Sequence, residues 1–406
     1  MKQIHLFSIL LILVLLISSI ALLVNYTKNS NQTIVEEPIY FGLAFCGETV
    51  EEAKILIDKT KTYTNLFILD AGLNRLCTNQ TAVIEILDYA TNAGLDIIVN
   101  LGSYTRETWQ QRFQILNQAK DAYGPKFLGV YYDDEPGGLM IDWNWDEELQ
   151  INKKPFGPYT ALIQEKLQTI KETNDFPDNY NLEAQWFSWI LQTNPGHTHL
   201  KTNNITTFTS DYALYWFDYL GGYSVMLAQL GWNNSVNQHL SMIRGAANLQ
   251  DKQWGTIITW KYREPPYIDS AQNIYDQLVA SYDAGAKYIT IFNWPYYDTN
   301  NPYGILTPEH FEAMERFWTE VVTKRAPTSA QPQAALILPK DYGIALRDND
   351  EKIWGIWQPD DKTELIHKNL DKLLEEYGLG LDIIYDDPAY SKERYNKLYY
   401  WNQTLP

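Results

Sequence analysis

Residues 65–102, NLFILDAGLNRLCTNQTAVIEILDYATNAGLDIIVNLG, contain two short apolar runs on either side of an amphipathic stretch. The runs NLFILDAG and LDIIVNLG are almost continuously apolar, which is typical of strands that are buried on both faces. Between them, QTAVIEILDYATNAG has the spacing of apolar residues that predicts a helix. The stretch therefore predicts a strand–helix–strand unit, the building block of parallel α/β folds.

The same pattern repeats along the chain from Ile39 to Val322, where eight apolar runs are each followed by a helical pattern. Eight units over roughly 290 residues, with no Gly-rich phosphate turn after the first run, predict a (β/α)8 TIM barrel rather than a doubly wound sheet. The fifth run is short and polar, and residues 176–201 before it are predicted to form a helix and a loop. The predicted strands are IYFGLAF, NLFILDAG, LDIIVNLG, FLGVYYDDEP, ITTFTSD, YSVMLAQLGW, WGTIITWKY and KYITIFNWP.

Composition divides the chain into four predicted parts. Residues 36–323 form the barrel, residues 324–333 are rich in the Pro, Ser, Thr and Gln of a linker, and residues 334–406 form a small Rossmann-like α/β domain. This domain has no Gly-x-Gly-x-x-Gly turn, so we expect it to bind no nucleotide and to pack on the barrel or on another subunit of a homo-oligomer. Residues 1–35 precede the barrel.

An uncharged run from Ile4 to Val24 follows Lys2. Its length suits either an uncleaved transmembrane anchor or a signal peptide, and Ser19-Ile20-Ala21 resembles a cleavage site. Either alternative predicts that the rest of the chain lies outside the cytoplasm, on the cell surface or secreted. Asn-x-Ser/Thr sequons, which are compatible with that location, begin at Asn25, Asn31, Asn79, Asn204, Asn233 and Asn402.

The net charge of −18 and the lack of any basic run argue against a nucleic-acid partner. The two cysteines, Cys46 and Cys77, are predicted to form a disulfide because each should follow one of two adjacent strands in an oxidising compartment. A metal site needs more ligands than the histidine pair His197 and His199 supplies, so both are interpreted as solvated loop residues. We expect no metal and no cofactor.

Three consecutive carboxylates, Asp133, Asp134 and Glu135, end the fourth apolar run. The carboxyl ends of barrel strands form the face where active sites lie, so these acids are predicted to be functional. If the strand continues through them, Asp133 and Glu135 face the pocket together and Asp134 faces away. Two neighbouring acids resist joint ionisation, which keeps one of them protonated as a general acid.

A Glu-Pro at this position in a barrel with a trailing α/β domain resembles the clan A glycoside hydrolases of the β-galactosidase type. The resemblance implies that Glu135 is the acid/base residue of an Asn-Glu-Pro motif in which Asp134 replaces the asparagine. It also implies a nucleophile after the seventh strand, for which WKYREPPY offers Glu264. A second resemblance is to chitinase-like barrels, in which Asp133 and Glu135 match the last two acids of Asp-x-Asp-x-Glu and Tyr131 replaces the first. Those enzymes use the N-acetyl group of the substrate in place of a protein nucleophile.

Other residues at the predicted strand ends have the polar and flat aromatic side chains that a sugar needs. We therefore predict an extracellular glycoside hydrolase whose partner is a carbohydrate. The alternative is a cell-surface protein on the same barrel that binds carbohydrate or has a structural role without catalysis. The predicted binding residues are Asp70, Asn100, Tyr131, Asp211, Trp260, Asn293 and Trp294.

Overall fold

The computed structural model describes residues 38–104, 107–143, 179–294, 300–326 and 331–405. From Ile39 onward the chain forms one compact unit. The run from Ile4 to Val24 and the helix predicted at 159–172 lie outside the described residues. Within the described ranges, no helix combines the length and the apolar character needed to cross a membrane.

Eight parallel strands close into a barrel in the order of the sequence, which confirms the predicted barrel. The first strand pairs with both the second and the eighth, and this pairing closes the ring. The short fifth strand is present between the fourth and the sixth. The strands are β1 (Tyr40–Phe45), β2 (Leu66–Asp70), β3 (Asp96–Asn100), β4 (Phe127–Tyr131), β5 (Thr207–Asp211), β6 (Val225–Leu230), β7 (Gln253–Ile258) and β8 (Tyr288–Asn293).

Helices cover the outside of the barrel. The segment before β5 contains two helices rather than the predicted helix and loop, because Pro195 begins a second helix with Asn194 as its N-cap. The helices are α1 (Val50–Thr60), α2 (Gln80–Asn92), α3 (Trp109–Tyr123), α4 (Pro136–Asp142), α5 (Asn181–Thr193), α6 (Pro195–Thr202), α7 (Tyr215–Gly221), α8 (Val236–Gln250), α9 (Ala271–Asp283), α10 (Pro308–Phe317) and α11 (Asp361–Tyr377), with 3₁₀ turns at Arg75–Thr78, Gly124–Lys126 and Gly378–Gly380 and a π turn at Trp318–Val322.

The apolar core has two parts that the barrel wall separates. One lies between the strands and the surrounding helices and continues under the C-terminal domain. The other fills the inside of the barrel, and its position shows that the barrel is a packed core rather than a pore. The inner part consists of Ala44, Leu66, Ile68, Ile98, Tyr131, Phe208, Val225, Leu227, Ile257 and Tyr288.

The C-terminal segment forms a small α/β domain with a three-stranded parallel sheet in the order β10-β9-β11. The strands are β9 (Ala334–Leu338), β10 (Leu381–Tyr385) and β11 (Lys397–Tyr400), and the long connection from β9 to β10 contains α11. The motif IWGIW in that connection forms an isolated bridge between Ile353 and Trp357.

A buried ion pair attaches this domain to the barrel. Arg244 on α8 donates from Nε to Asp382 Oδ1 on β10 at 2.7 Å, and both side chains are almost completely buried. The Arg244 Nη2 group also donates to the carbonyl oxygens of Leu379 and Leu381 at 2.7 and 2.8 Å. Next to it, a Cβ on Gly245 would lie 2.5 Å from the Ile383 carbonyl oxygen, so glycine is needed for this close approach.

We expect Asp382→Asn to lower the free energy of unfolding by about 3–5 kcal/mol, because it leaves the buried Arg244 charge without a counter-charge. The matched control is Glu85→Gln, which removes the carboxylate of the exposed pair with Lys54 and should cost less than about 1 kcal/mol. Denaturant unfolding of the two variants measures the difference. Equal losses would show that the pair does not hold the domain to the barrel.

Candidate active site

Polar side chains lie at the carboxyl ends of the barrel strands and face the barrel mouth. Successive strand residues face opposite sides, so the residue two positions after an inner core residue faces the barrel mouth. At five strand ends this residue is polar and lines a cavity at the mouth. The pairs of core and mouth residues are Ile68 and Asp70, Ile98 and Asn100, Phe208 and Ser210, Leu227 and Gln229, and Ile257 and Thr259.

The alternation fails on β4, and the predicted pairing of Asp133 with Glu135 is wrong. The strand ends at Tyr131, and Asp133 and Glu135 have φ angles of 51° and 54°, in the left-handed region. This turn brings Asp134 into the same cavity as Glu135, whereas Asp133 lies farther along the mouth. Asp134, which strand alternation places on the opposite face, is therefore the nearer acid.

Asp211 fixes the position of this turn. Its Oδ2 accepts from the Gly137 amide at 2.6 Å and its Oδ1 from the Gly138 amide at 2.8 Å, at the start of α4. A Cβ on Gly138 would lie 2.1 Å from the ring of Tyr212, which explains why glycine follows the Glu-Pro pair. Asp211 was predicted to bind the sugar, but it is completely buried and does not line the cavity. Its role is to hold the turn that carries Glu135.

Asn293 and Glu264 also lie away from the cavity. Asn293 donates to the Tyr303 carbonyl oxygen at 2.9 Å and accepts from the Ile305 amide at 3.2 Å, and so holds the loop after β8. Glu264 is exposed on the loop after β7 and is not among the cavity-lining residues. The structure therefore does not bring the predicted nucleophile to Glu135.

Hydrogen bonds orient each cavity carboxyl group. Glu135 Oε1 accepts from Gln229 Nε2 at 2.7 Å, and the same Nε2 contacts Ser210 Oγ at 2.8 Å. Asp134 accepts on Oδ1 from the Tyr131 hydroxyl and from Ser210 Oγ, the latter at 3.1 Å. The Asp134 side chain also lines the cavity.

Asp70 is the third carboxyl group of the cavity. Its Oδ1 accepts from Asn100 Nδ2 at 2.8 Å, and Asn100 Oδ1 accepts from the Gly102 amide at the same distance. Asn100 therefore orients Asp70 and is itself held by the backbone.

The pKa values of the cavity carboxyl groups lie above their ordinary range. Burial, and then the charge of Asp134, raise the pKa of Glu135 and of Asp70 to about 7 and that of Asp133 to about 6. Burial also raises the pKa of Asp134, but the hydrogen bonds from Tyr131 and Ser210 favour its ionised form. The arrangement suits one ionised carboxylate, Asp134, beside a protonated Glu135.

Aromatic side chains form the opposite wall of the cavity. The ring of Phe292 lies 6.0 Å from those of Trp260 and Trp294, measured between centroids. Of the predicted residues, Trp260, Trp294, Asn100, Tyr131 and Asp70 line the mouth. Strand alternation applied to β5, β6 and β8 could have added Ser210, Gln229 and Phe292, whereas Trp232 and Arg263 come from loops and have no such signal.

The structure does not contain the predicted disulfide, because Cys46 and Cys77 are both free and buried. Cys46 faces the barrel mouth with its Sγ 3.7 Å from Asp70 Oδ2. Cys77 packs in the outer core from the 3₁₀ turn after β2. The two side chains thus lie on different sides of the barrel wall.

The prediction that His197 and His199 are solvated loop residues is also wrong, because both lie on α6 and His197 is buried. His197 Nδ1 is 3.1 Å from the Leu191 carbonyl oxygen, and the ring of His199 packs on Phe113. Within the part of the chain that the structure describes, no group of His, Cys, Asp and Glu side chains could hold a metal ion.

The C-terminal domain holds the far end of α4. Arg347 donates to both carboxylate oxygens of Asp142, at 2.9 and 2.6 Å, and its Nε donates to Glu351 Oε1 at 2.5 Å. A Cβ on Gly355 would lie 2.4 Å from the Met140 carbonyl oxygen, so this loop packs directly on the helix. Helix α4 is therefore fixed at its start by Asp211 and at its end by Arg347.

No protein-family model matches the sequence, and no curated protein matches it. Solved structures of glycoside hydrolases are similar. GH5_18 from Streptomyces cattleya in complex with GlcNAc has a TM-score of 0.56 and 11% identity, covering 90% of this chain and 99% of that chain. A β-galactosidase from the haloarchaeon Halorubrum lacusprofundi has a TM-score of 0.59 and 10% identity, covering 89% and 69%. These similarities confirm the barrel fold that the predicted resemblance implies.

We expect Asp134→Asn to stabilise the protein at pH 8 by about 1 kcal/mol or more. The folded-state pKa values of Glu135, Asp70 and Asp133 lie above those of the unfolded chain, so stability falls as pH rises from about 4 to about 7. Removing the Asp134 charge lowers these pKa values and reduces the fall, and little gain is expected at pH 4.

Thermal unfolding at both pH values provides the measurement. Glu264→Gln, which removes an exposed carboxylate outside the cavity, is the matched control and should change stability little. A less stable Asp134→Asn variant at pH 8 would contradict the proposed repulsion within the cluster.

Proposed function

We propose that this protein is a glycoside hydrolase that cleaves a glycan outside the cytoplasm, with Glu135 as its general acid/base. The observation that supports this most strongly is the convergence of Glu135 and Asp134 on one cavity at the carboxyl ends of the strands. The aromatic wall opposite them offers flat apolar surfaces for sugar rings. Two carboxyl groups with different protonation states are what glycosidic cleavage requires.

Glu135 supplies the proton. Its Oε1 is held by Gln229, and no described residue hydrogen-bonds its Oε2, so this oxygen can give a proton to the leaving oxygen of the glycosidic bond. Burial, followed by the charge of Asp134, raises its pKa to about 7, so the acid form is present below that pH. After the bond breaks, the Glu135 carboxylate accepts a proton from the attacking water.

Asp134 is the second carboxylate in this proposal. Tyr131 and Ser210 donate hydrogen bonds to its Oδ1, and the side chain lines the cavity beside Glu135. A negative oxygen at this place stabilises the positive charge that develops on the sugar when the glycosidic bond breaks. Asp134 is therefore proposed as an electrostatic stabiliser, whereas the sequence resemblance implies a nucleophile at Glu264.

The similar structures support a glycan as the substrate class. GH5_18 from Streptomyces cattleya was solved with GlcNAc and, in a variant, with Manb1-4GlcNAc. These ligands were bound by those proteins. For this chain we propose only the substrate class, a glycan.

A carbohydrate-binding protein without catalysis is the second candidate. It is favoured by the end of β7, where Thr259 and Trp260 line the cavity and Glu264 does not. That is the position at which the clan A resemblance implies a nucleophile. Binding of a glycan without release of reducing ends would support this candidate.

We also propose that the chain is exported and either anchored by its N-terminal apolar run or secreted. The uncharged run at Ile4–Val24 supports export, and the sequon asparagines within the described residues are all exposed and could accept glycans. Protease treatment of intact cells measures the location. Digestion of the protein only after lysis would contradict export to the surface. The exposed asparagines are Asn79, Asn204, Asn233 and Asn402.

We expect Glu135→Gln to lower turnover by at least ~10²-fold, because glutamine keeps the size and hydrogen bonding but has no proton to transfer. The wild type should lose activity as the pH rises through about 7, where Glu135 ionises. Release of reducing ends from a glycan panel is the measurement.

Glu264→Gln tests the alternative nucleophile with the same chemical change. We expect activity close to that of the wild type, since Glu264 is exposed outside the cavity. A large loss in this variant with little loss in Glu135→Gln would contradict the assignment of the acid.

A further inference from the structure

The barrel mouth contains two connected lobes that share their central residues. The Glu135 lobe has a volume of about 400 Å³ and is lined by Glu135, Gln229, Trp232, Trp260 and Arg263, among others. The Trp294 lobe has a volume of about 530 Å³ and is lined by Trp294, Asn74, Asn100, Ser103 and Asp133, among others. Both lobes are lined by Asp70, Asp134 and Phe292, so the carboxylates lie at the boundary between them.

An aromatic strip connects the lobes. Trp260 lines the Glu135 lobe, Trp294 lines the Trp294 lobe, and Phe292 lines both. The ring centroids of Trp260 and Trp294 are 6.4 Å apart, and each is 6.0 Å from Phe292. The strip therefore offers apolar surface along the whole mouth, opposite the carboxylates.

Each lobe is large enough for sugar. Their volumes fall within the ~300–1,000 Å³ range of sites that hold a complete small-molecule ligand, and a single sugar ring is smaller than such a ligand. A monosaccharide would occupy one lobe, and the other lobe would contain only water. A chain of sugar units can occupy both lobes and cross the carboxylates between them.

The lobes differ in charge. Asp70, Asp133 and Asp134 line the Trp294 lobe, and no basic side chain is among its described lining residues. A sugar carboxylate placed there would meet like charges at short range, which disfavours binding. The Glu135 lobe is also lined by three acids, Asp70, Asp134 and Glu135, but a basic side chain, Arg263, is among its lining residues.

We propose that the ligand is an oligosaccharide that lies along the aromatic strip, occupies both lobes and places a neutral sugar in the Trp294 lobe. This rests on the proposed function for the position of the cleaved bond, which lies where the lobes meet at Asp134. Binding itself does not depend on cleavage. A purely carbohydrate-binding protein would use the same path.

The experiment measures binding to the Glu135→Gln protein, so that turnover does not interfere. The probes are neutral β-1,4-linked oligomers of glucose, mannose and N-acetylglucosamine with one to six units, together with oligogalacturonate as the acidic probe. We expect one neutral series to bind more tightly by ~10-fold or more from one unit to three or four. Equal affinity for monomer and oligomer, or tighter binding of oligogalacturonate than of every neutral series, would overturn the proposal.

Two variants separate the lobes. Trp260→Ala and Trp294→Ala should each weaken oligomer binding by roughly 3- to 10-fold, the effect of losing one stacked ring, whereas the monosaccharide should respond to one of them only. Trp294→Phe, which keeps a ring, should restore most of the affinity and guards against misfolding. Unchanged oligomer affinity in both alanine variants would overturn the path.

Tyr262→Ala is the matched control, because Tyr262 is an exposed aromatic residue near Trp260 that lines neither lobe. We expect it to leave oligomer affinity unchanged, and a loss equal to that of Trp260→Ala would contradict the path. Failure of the proposed function is a separate result, since it would appear as absent hydrolysis by the wild type with oligomer binding intact.

Discussion

The Asp211 side chain accepts two hydrogen bonds, from the amides of Gly137 and Gly138, and so holds the turn that carries the candidate catalytic residues. Oriented backbone N–H groups at the start of a helix bind a carboxylate well, and here the carboxylate comes from the neighbouring strand. The contact holds the segment just after β4, in which Asp133 and Glu135 have left-handed conformations that are costly without support from their surroundings. The cavity, the order of the acids and their hydrogen bonds all follow from the position of this turn.

Much of the fold could be predicted because a barrel strand leaves a clear trace in the sequence. Strands buried on both faces must be apolar, and the helices that cover them must have one apolar face, so the eight units are visible even where β5 is short. Strand alternation also predicts correctly that Asp211 and Asn293 face away from the cavity. Each comes directly after an inward-facing residue, Ser210 or Phe292, and therefore faces the outer helices and loops.

The details of the site could not be predicted in the same way. Asp133 has a positive φ, and its carbonyl oxygen accepts from Thr209 Oγ1, which is far along the chain, so local alternation gave the wrong partner for Glu135. The disulfide prediction failed for a similar reason. Cys46 and Cys77 follow adjacent strands, but this does not show on which side of the barrel wall each side chain lies. Cys46 faces the mouth and Cys77 faces the outer core.

The contact of Arg347 and Gly355 with α4 has a consequence for the order of events during synthesis. Ribosomes release the N-terminal part of a chain first, and domains tend to fold as they emerge. The barrel strands can therefore pair before the C-terminal segment exists, but the helix after Glu135 lacks its second support until residues 347–355 have left the ribosome. A nascent chain that ends before these residues would have a barrel in which, of the two supports, only Asp211 holds the helix after Glu135.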